Sequence, residues 1–285
     1  MVRTLLVRGM LAGIVAGLLS FCFLKIYGEP QVDRAIAFET QMDEAKAAAE
    51  KSAAEKPAAD KAKDSGMAMH HDMHNDMAHH DMAHNDMAAS HEEEPQLVSR
   101  EVQGGLGLFI AVMVYCTAFG GLFGLAFAFA YGRLPGALTP QALSVLLAAT
   151  GFIAIYLVPN LKYPANPPAV GEPETIGYRT ALYFIMIAIS LAAMIGAASF
   201  KRVFIPRFGE WNATLLAAAC YIVIVAVAAL LLPVINEVPE AFPAVVLWKF
   251  RVASLGAQLI MWTTLGLLFG GLTQRALSTD RLHAH

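Results

Sequence analysis

The chain has 285 residues, of which 57% are hydrophobic and only 15% are charged, with a formal net charge of −3. A soluble globular domain usually carries about 25% charged residues, and the mean hydropathy of +0.53 points away from that class as well. These values exclude an ordinary soluble domain and predict an all-α, polytopic transmembrane bundle of about six spans with a largely disordered His/Met-rich outer loop.

Six stretches are long and apolar enough to cross the hydrocarbon core, which needs roughly 20 mostly apolar residues. None contains Asp or Glu, and in chain order they cover 5–24, 105–130, 138–158, 181–200, 213–232 and 252–272. The first lacks the small-x-small cleavage pattern of a signal peptide, so we interpret it as an uncleaved anchor. Lys249 and Arg251 precede the sixth and are interpreted as snorkelling to the interface.

The Lys and Arg residues of the short flanks predict the orientation of the chain. One side holds Arg3, Arg8, Arg133, Lys201, Arg202, Arg207, Arg275 and Arg281. We therefore expect this side to be cytoplasmic, with both termini inside. The opposite side is acidic, which would concentrate cations near the membrane.

The first outer loop is predicted to change character along its length. The chain divides into an anchor at 1–27, this loop at 28–100 and a five-helix region at 101–285. Pro30 is expected at the first position of a short amphipathic helix, and the residues at 45–64 form either a solvated helix or a disordered spacer.

The segment 66–95 reads GMAMHHDMHNDMAHHDMAHNDMAASHEEEP and contains an imperfect tandem repeat. Imidazole, carboxylate and thioether groups together suit divalent transition metals, with thioether favouring copper(I). A polar spacer without function is the less favoured alternative. The predicted metal ligands are His70, His71, His74, His79, His80, His84, His91, Asp72, Asp76, Asp81, Asp86, Met73, Met77, Met82 and Met87.

Two shorter outer loops follow. Five prolines in the loop at 159–175 argue against regular helix, so that it either lines a cavity or acts as a stiff connector. The loop at 233–246 carries Asn236, Glu237 and Glu240, which would complete an outer vestibule.

Glycines four residues apart predict closely packed helices, and they occur at Gly9/Gly13/Gly17, Gly120/Gly124 and Gly266/Gly270. Packing within the chain is favoured over a partner helix or a dimer. The predicted spans contain no His, which excludes a bis-His haem, and the sequence has no GxxxxGK[ST] motif. No nucleophile–base pair indicates an enzyme, and no nucleic acid partner is expected.

Two long segments carry a family resemblance: MVRTLLVRGMLAGIVAGLLSFCFLKIYGEPQVDRAIAFE and PNLKYPANPPAVGEPETIGYRTALYF. Both resemble the probable cobalt transporter subunit CbtA family. The resemblance implies a bacterial inner-membrane protein of cobalt uptake with five spans, together with CbtB, a small single-span partner with a His-rich end. The polar positions that match are Glu29, Asp33, Glu39, Asn160, Tyr163, Asn166, Glu172 and Glu174.

The leading hypothesis is therefore a cobalt (or similar divalent metal) uptake subunit that captures ions on the His/Met/Asp segment. The predicted transport path uses Glu29, Asn160, Tyr163, Asn166, Glu172, Glu174 and Glu237. The partners expected are lipid, the divalent ion and the CbtB-like subunit, with no permanently bound cofactor. One alternative is a membrane-anchored copper- or metal-buffering protein that does not transport, and another is a scaffold whose glycine faces hold a partner.

Overall fold

A computed structural model describes residues 2–60, 99–133 and 138–282, and all regular structure within these ranges is helical. The predicted all-α fold is confirmed. Five continuous helical segments are long and apolar enough to span a membrane: Val2–Ser52, Arg100–Ala130, Pro140–Lys162, Pro173–Leu231 and Ala244–Ser278.

The helices follow one another with few interruptions. Helices α1 to α9 cover Val2–Phe23, Glu29–Asp60, Arg100–Val102, Leu108–Ala130, Pro140–Gly151, Val158–Lys162, Ile176–Leu231, Ala244–Thr264 and Gly270–Leu282. Wider π-helical segments join α1 to α2, α3 to α4, α5 to α6 and α8 to α9, at Leu24–Gly28, Gln103–Gly107, Phe152–Leu157 and Leu265–Phe269. A 3-10 turn, Pro173–Thr175, precedes α7.

Two of the π-helical segments end just before a proline. Leu24–Gly28 precedes Pro30, and Phe152–Leu157 precedes Pro159. Because a proline has no N–H and its ring crowds the carbonyl four residues earlier, a wider turn ahead of it lets the helix continue. Pro30 therefore lies within a continuous helical run and does not start a new one as predicted. The predicted non-helical loop likewise begins after Lys162 and not at Pro159.

Helix α7 is two helices joined at a sharp break. Gly209 has φ 76° and ψ 166°, a backbone conformation that only glycine adopts easily. The hydroxyl groups of Ser190 and Tyr221 lie 2.8 Å apart, whereas 31 residues of straight helix would separate them by about 46 Å. The two arms therefore pack side by side. When they are counted separately, the helices account for all six apolar stretches of the sequence.

The predicted glycine faces pack within the chain. A Cβ atom at Gly9 would collide with the carbonyl oxygen of Gly120, and one at Gly13 with that of Cys116. The α1 and α4 backbones are thus in direct contact, as small residues allow. Gly266 packs in the same way against α5. The expectation of packing within the chain is confirmed.

Three apolar clusters organise the bundle. The largest joins α1, α4, α5 and α8 with the π segment after it, and it includes Leu5, Phe127 and Trp262. The second joins the two arms of α7 to α6. Large apolar side chains also cover the outside of the bundle, as expected where lipid is the solvent.

The third cluster fixes the start of α2. Ala35 is fully buried and packs with Val170 and Phe242, and the rings of Phe38 and Phe242 lie 5.0 Å apart. Helix α2 continues to Asp60, so the predicted short helix is in fact 32 residues long. Of the two alternatives for 45–64, the helical one holds as far as Asp60.

Candidate functional site at the Glu237 end

The described parts of the three segments predicted as outer loops meet at one end of the bundle, which we call the Glu237 end. Lys25 Nζ donates to the carbonyl oxygen of Gly104 at 2.8 Å. The Tyr163 hydroxyl donates to the carbonyl oxygen of Pro233 at 2.9 Å. The break at Gly209 and its neighbouring Lys201–Glu210 ion pair of 3.7 Å lie at the opposite end, which we call the Gly209 end.

A cavity of about 380 Å³ opens at the Glu237 end between the loop after α6, the first turns of α7, the segment before α8, and α8 itself. This volume falls in the range of small-molecule sites. Three predicted path residues line it, namely Tyr163, Asn166 and Glu237. The other lining residues are Pro164, Val170, Ile176, Arg179, Thr180, Tyr183, Ile235, Asn236, Val238 and Arg251.

Glu237 ties two loops together. Its Oε2 atom accepts hydrogen bonds from the backbone N–H of Glu172 at 2.9 Å and from the Thr175 hydroxyl at 3.0 Å. Arg179 Nε lies 3.4 Å from the same oxygen. The backbone and hydroxyl donors, followed by the guanidinium charge, lower the pKa of Glu237 below its ordinary value. The carboxylate is therefore held ionised, and its Oε2 atom already has partners.

Arg179 is held close to the backbone of the same loop. Its Nη2 donates to the carbonyl oxygen of Glu172 at 3.3 Å. Gly171 has φ 115°, and the Arg179 guanidinium occupies the space that a Cβ atom there would need. A side chain at position 171 would therefore displace this guanidinium.

Arg251 reaches the cavity from α8. Its Nη2 donates to Asn166 Oδ1 at 2.9 Å, and its Nε donates to the carbonyl oxygen of Ala165 at 3.3 Å. Both acceptors are neutral. Arg251 thus braces the proline-rich loop against α8, which is more than the snorkelling inferred from the sequence.

The other predicted path residues do not line the cavity. Glu29 forms an ion pair with Arg100, which also bonds Asp33 Oδ1 at 3.0 Å. Asn160 Oδ1 accepts from the backbone N–H of Ala165 at 3.2 Å, so it shapes the loop. Glu172 takes part through its backbone, and the Glu174 side chain is exposed.

Polar side chains continue from the cavity into the bundle. Arg251, Ser254 and Gln258 recur at helical spacing along α8. The hydroxyl groups of Tyr156 and Ser254 lie 3.0 Å apart, and Gln258 hydrogen-bonds Tyr115. This polar column, as we call these five residues, contains neither a carboxylate nor an imidazole.

Arg179 and Arg251 are not among the predicted site residues. The available signal was a basic residue within or beside an apolar run, since such groups usually face a protein interior or a water-filled cavity. Glu237 lies 58 residues from Arg179 along the chain, and Ala165 lies 86 residues from Arg251, which local spacing cannot reveal.

No group of three or more His, Cys, Asp or Glu side chains is placed to hold a metal ion within 2–60, 99–133 and 138–282. The predicted metal ligands between His70 and His91 lie outside the described residues. The metal-binding segment therefore stays a prediction.

One comparison with known proteins gives a match over almost the whole chain. A family model described as "Probable cobalt transporter subunit (CbtA)" matches residues 2–274. Neither the curated proteins nor the solved structures give a match.

Proposed function

Since the chain belongs to the CbtA family of probable cobalt transporter subunits, we propose that it carries cobalt, or a similar divalent transition metal, into the cell. The family match and the five apolar helices make it a multi-pass membrane protein of a transporter family. The match over residues 2–274 is the observation that carries the proposal.

The proposed orientation puts the Glu237 end outside and the Gly209 end in the cytoplasm. Arg202 and Arg207 lie just before the break between the two arms of α7, and cytoplasmic loops are enriched in such residues. Both termini are then cytoplasmic, and the membrane is the bacterial inner membrane. The described parts of the three predicted outer loops lie together at one end, which supports this assignment.

In this proposal, the His/Met/Asp segment within 66–95 captures the metal outside the membrane. Its ligands are of the types that bind borderline divalent ions. They have to exchange the ion readily, because a transporter must release what it captures. The anchor at 1–27 and the loop at 28–100 then serve capture, and 101–285 serves passage.

The proposed passage begins at the Glu237 end and follows the polar column. Tyr163, Asn166 and Glu237 line the entrance cavity. Glu29 has a role at the base of α2, where it holds Arg100. A small single-span partner of the CbtB kind is part of the proposal, and co-purification from bacterial membranes tests it.

Cobalt uptake at limiting concentration tests the capture role. We expect replacement of the seven histidines between 66 and 95 by Asn to raise the cobalt concentration for half-maximal uptake and to leave the maximal rate unchanged. The matched control replaces the five alanines of the same segment by Ser and should behave as wild type. If the two variants take up cobalt identically, the capture role is wrong.

A second candidate function is copper buffering without transport, favoured by the six Met residues interleaved with His between 67 and 91. Thioether ligands prefer copper(I). Cells that express this chain would then resist copper but would accumulate no additional cobalt. Accumulation of radiolabelled cobalt with and without the chain distinguishes the two functions.

A further inference from the structure

The cavity at the Glu237 end carries an excess of positive charge. Its ionised lining groups are Arg179, Arg251 and Glu237. Glu237 forms an ion pair with Arg179 and accepts two hydrogen bonds, from Glu172 and Thr175. No carboxylate among the described residues forms an ion pair with Arg251, whose acceptors are the neutral oxygens of Ala165 and Asn166. The lining therefore has a net charge of +1.

A positive charge next to apolar walls attracts an anion. Val170, Ile176 and Ile235 lie in the same lining as Arg251. Two unit charges at contact distance interact several-fold more strongly in such surroundings than in bulk water. A guanidinium group also offers parallel N–H donors that match a carboxylate.

A bare divalent cation is poorly matched to this cavity. Its one carboxylate, Glu237, accepts two hydrogen bonds at Oε2 and is neutralised by Arg179, and the described residues provide no cluster of His, Cys, Asp or Glu that would replace the water shell of an ion. Arg251, whose positive charge is not neutralised by a carboxylate among the described residues, would repel such an ion. The neutral groups of Asn236, Tyr163 and Thr180 can orient an organic ligand.

We propose that this cavity binds a small polycarboxylate anion. The cavity volume of about 380 Å³ fits a ligand of this class. If the chain carries cobalt as proposed above, the metal would enter the cavity as an anionic polycarboxylate chelate and not as the hydrated ion. Only this last statement rests on the proposed function.

Binding of radiolabelled citrate to the full chain in nanodiscs of zwitterionic lipid tests the site. We expect Arg251→Gln to weaken binding about tenfold or more, since a charge-assisted hydrogen bond is lost. The matched control, Arg202→Gln, removes the same charge from the Gly209 end and should bind as wild type. Absence of citrate binding by the wild-type chain, or equal affinity of the two variants, would overturn the proposal.

Asn236→Asp tests whether the cavity prefers a negatively charged ligand, and it does so without removing an arginine. The substitution is isosteric and adds one negative charge to the lining. We expect it to weaken citrate binding while the protein keeps its elution profile and melting temperature. Tighter citrate binding by this variant would contradict an anion site. Binding of cobalt ions in the cavity from added cobalt chloride, without citrate, would also contradict it.

Cobalt uptake by cells, measured with and without citrate in the medium, separates this inference from the proposed function. If the chain transports cobalt but does not bind citrate, the anion site is wrong and the function stands. If citrate binds at Arg251 but the chain moves no cobalt, the anion site stands and the function is wrong. Citrate binding combined with faster cobalt uptake in citrate supports both.

Discussion

The α1–α4 contact and the Glu237 cavity join helices in opposite ways. At the first, the backbones of Gly9 and Gly120 touch with no side chain between them. At the second, the side chains of Arg251 and Glu237 reach across a cavity to neighbouring loops. Close-packed contacts have few alternative arrangements, whereas polar bonds at a surface can exchange with water or a ligand. The comparison indicates that the α1–α4 contact is a fixed frame and that the contacts around the Glu237 cavity are adjustable.

The largest expected effect comes from breaking the frame. Gly120→Leu would place a side chain where the Gly9 backbone lies, and the helices cannot separate without losing the contact along their length. Overpacking usually costs about 1–3 kcal/mol, and more where backbone must move. We expect little monodisperse protein after detergent extraction, measured by size-exclusion chromatography.

The matched control for this prediction is Gly196→Leu. Gly196 lies in α7, and a Cβ atom there would meet no other atom within 4 Å. This variant should be extracted as wild type. If Gly120→Leu were equally well behaved, the α1–α4 contact would not be a rigid frame.

A smaller effect is expected in the polar column, which lies between the two regions. Tyr156→Phe removes the partner of the Ser254 hydroxyl, 3.0 Å away. We expect a loss of about 0.5–1 kcal/mol in unfolding free energy, because hydrogen bonds within membranes contribute that much. Denaturation of the detergent-solubilised chain measures it.

The double variant Tyr156→Phe/Ser254→Ala sharpens this result. Since both partners are then removed, we expect it to be no less stable than Tyr156→Phe alone. A double variant whose losses simply add would mean that the two hydroxyl groups do not interact.

The smallest effect near neutral pH is expected at the Glu237 cavity. Because folding lowers the pKa of Glu237, its stabilising contribution is complete above the unfolded value of about 4.3 and is lost as the pH falls through the lower folded value. The loops that carry Glu174 and Glu240 should then stay together at pH 5–8 and separate only in stronger acid. Spin labels at these two exposed positions, after replacement of the three native cysteines, report the distance.

Glu237→Gln serves as the control for the pH prediction. Without a titrating carboxylate at position 237, the distance between the labels should no longer change as the pH falls below 5. A pH step that persists in this variant would assign the loop contact to another group.

Much of the fold could be predicted because lipid imposes simple rules. Apolar runs of about 20 residues have to be helical, and the six predicted stretches lie almost wholly within helices. The glycine spacing also predicted close helix packing within the chain, although it did not show that Gly9 meets Gly120. The length of α2 did not, because the sequence between 45 and 60 is rich in Ala, Glu and Lys and is compatible with either a helix or a spacer.

The candidate site was predictable only in part. Tyr163, Asn166 and Glu237 stood out as polar residues in loops, and they line one cavity. Sequence spacing could not show that Glu237 is paired with Arg179 or that Glu29 is paired with Arg100. These pairings convert predicted cation ligands into neutralised groups, and they depend on tertiary contacts between distant parts of the chain.

The continuous run of helix from α1 into α2 sets how far the chain extends from Glu29 before it turns back. About 46 Å of helix axis separates Glu29 from Asp60 at 1.5 Å per residue. Before it reaches Ser99 and Arg100, the latter paired with Glu29 at the base of α2, the chain then has 38 residues, 61–98. Their extended length is about 125 Å, more than twice the gap. In the proposed capture role, the polypeptide is thus long enough to carry a bound ion from the far end of α2 back to the base of that helix while both ends of the segment stay in place.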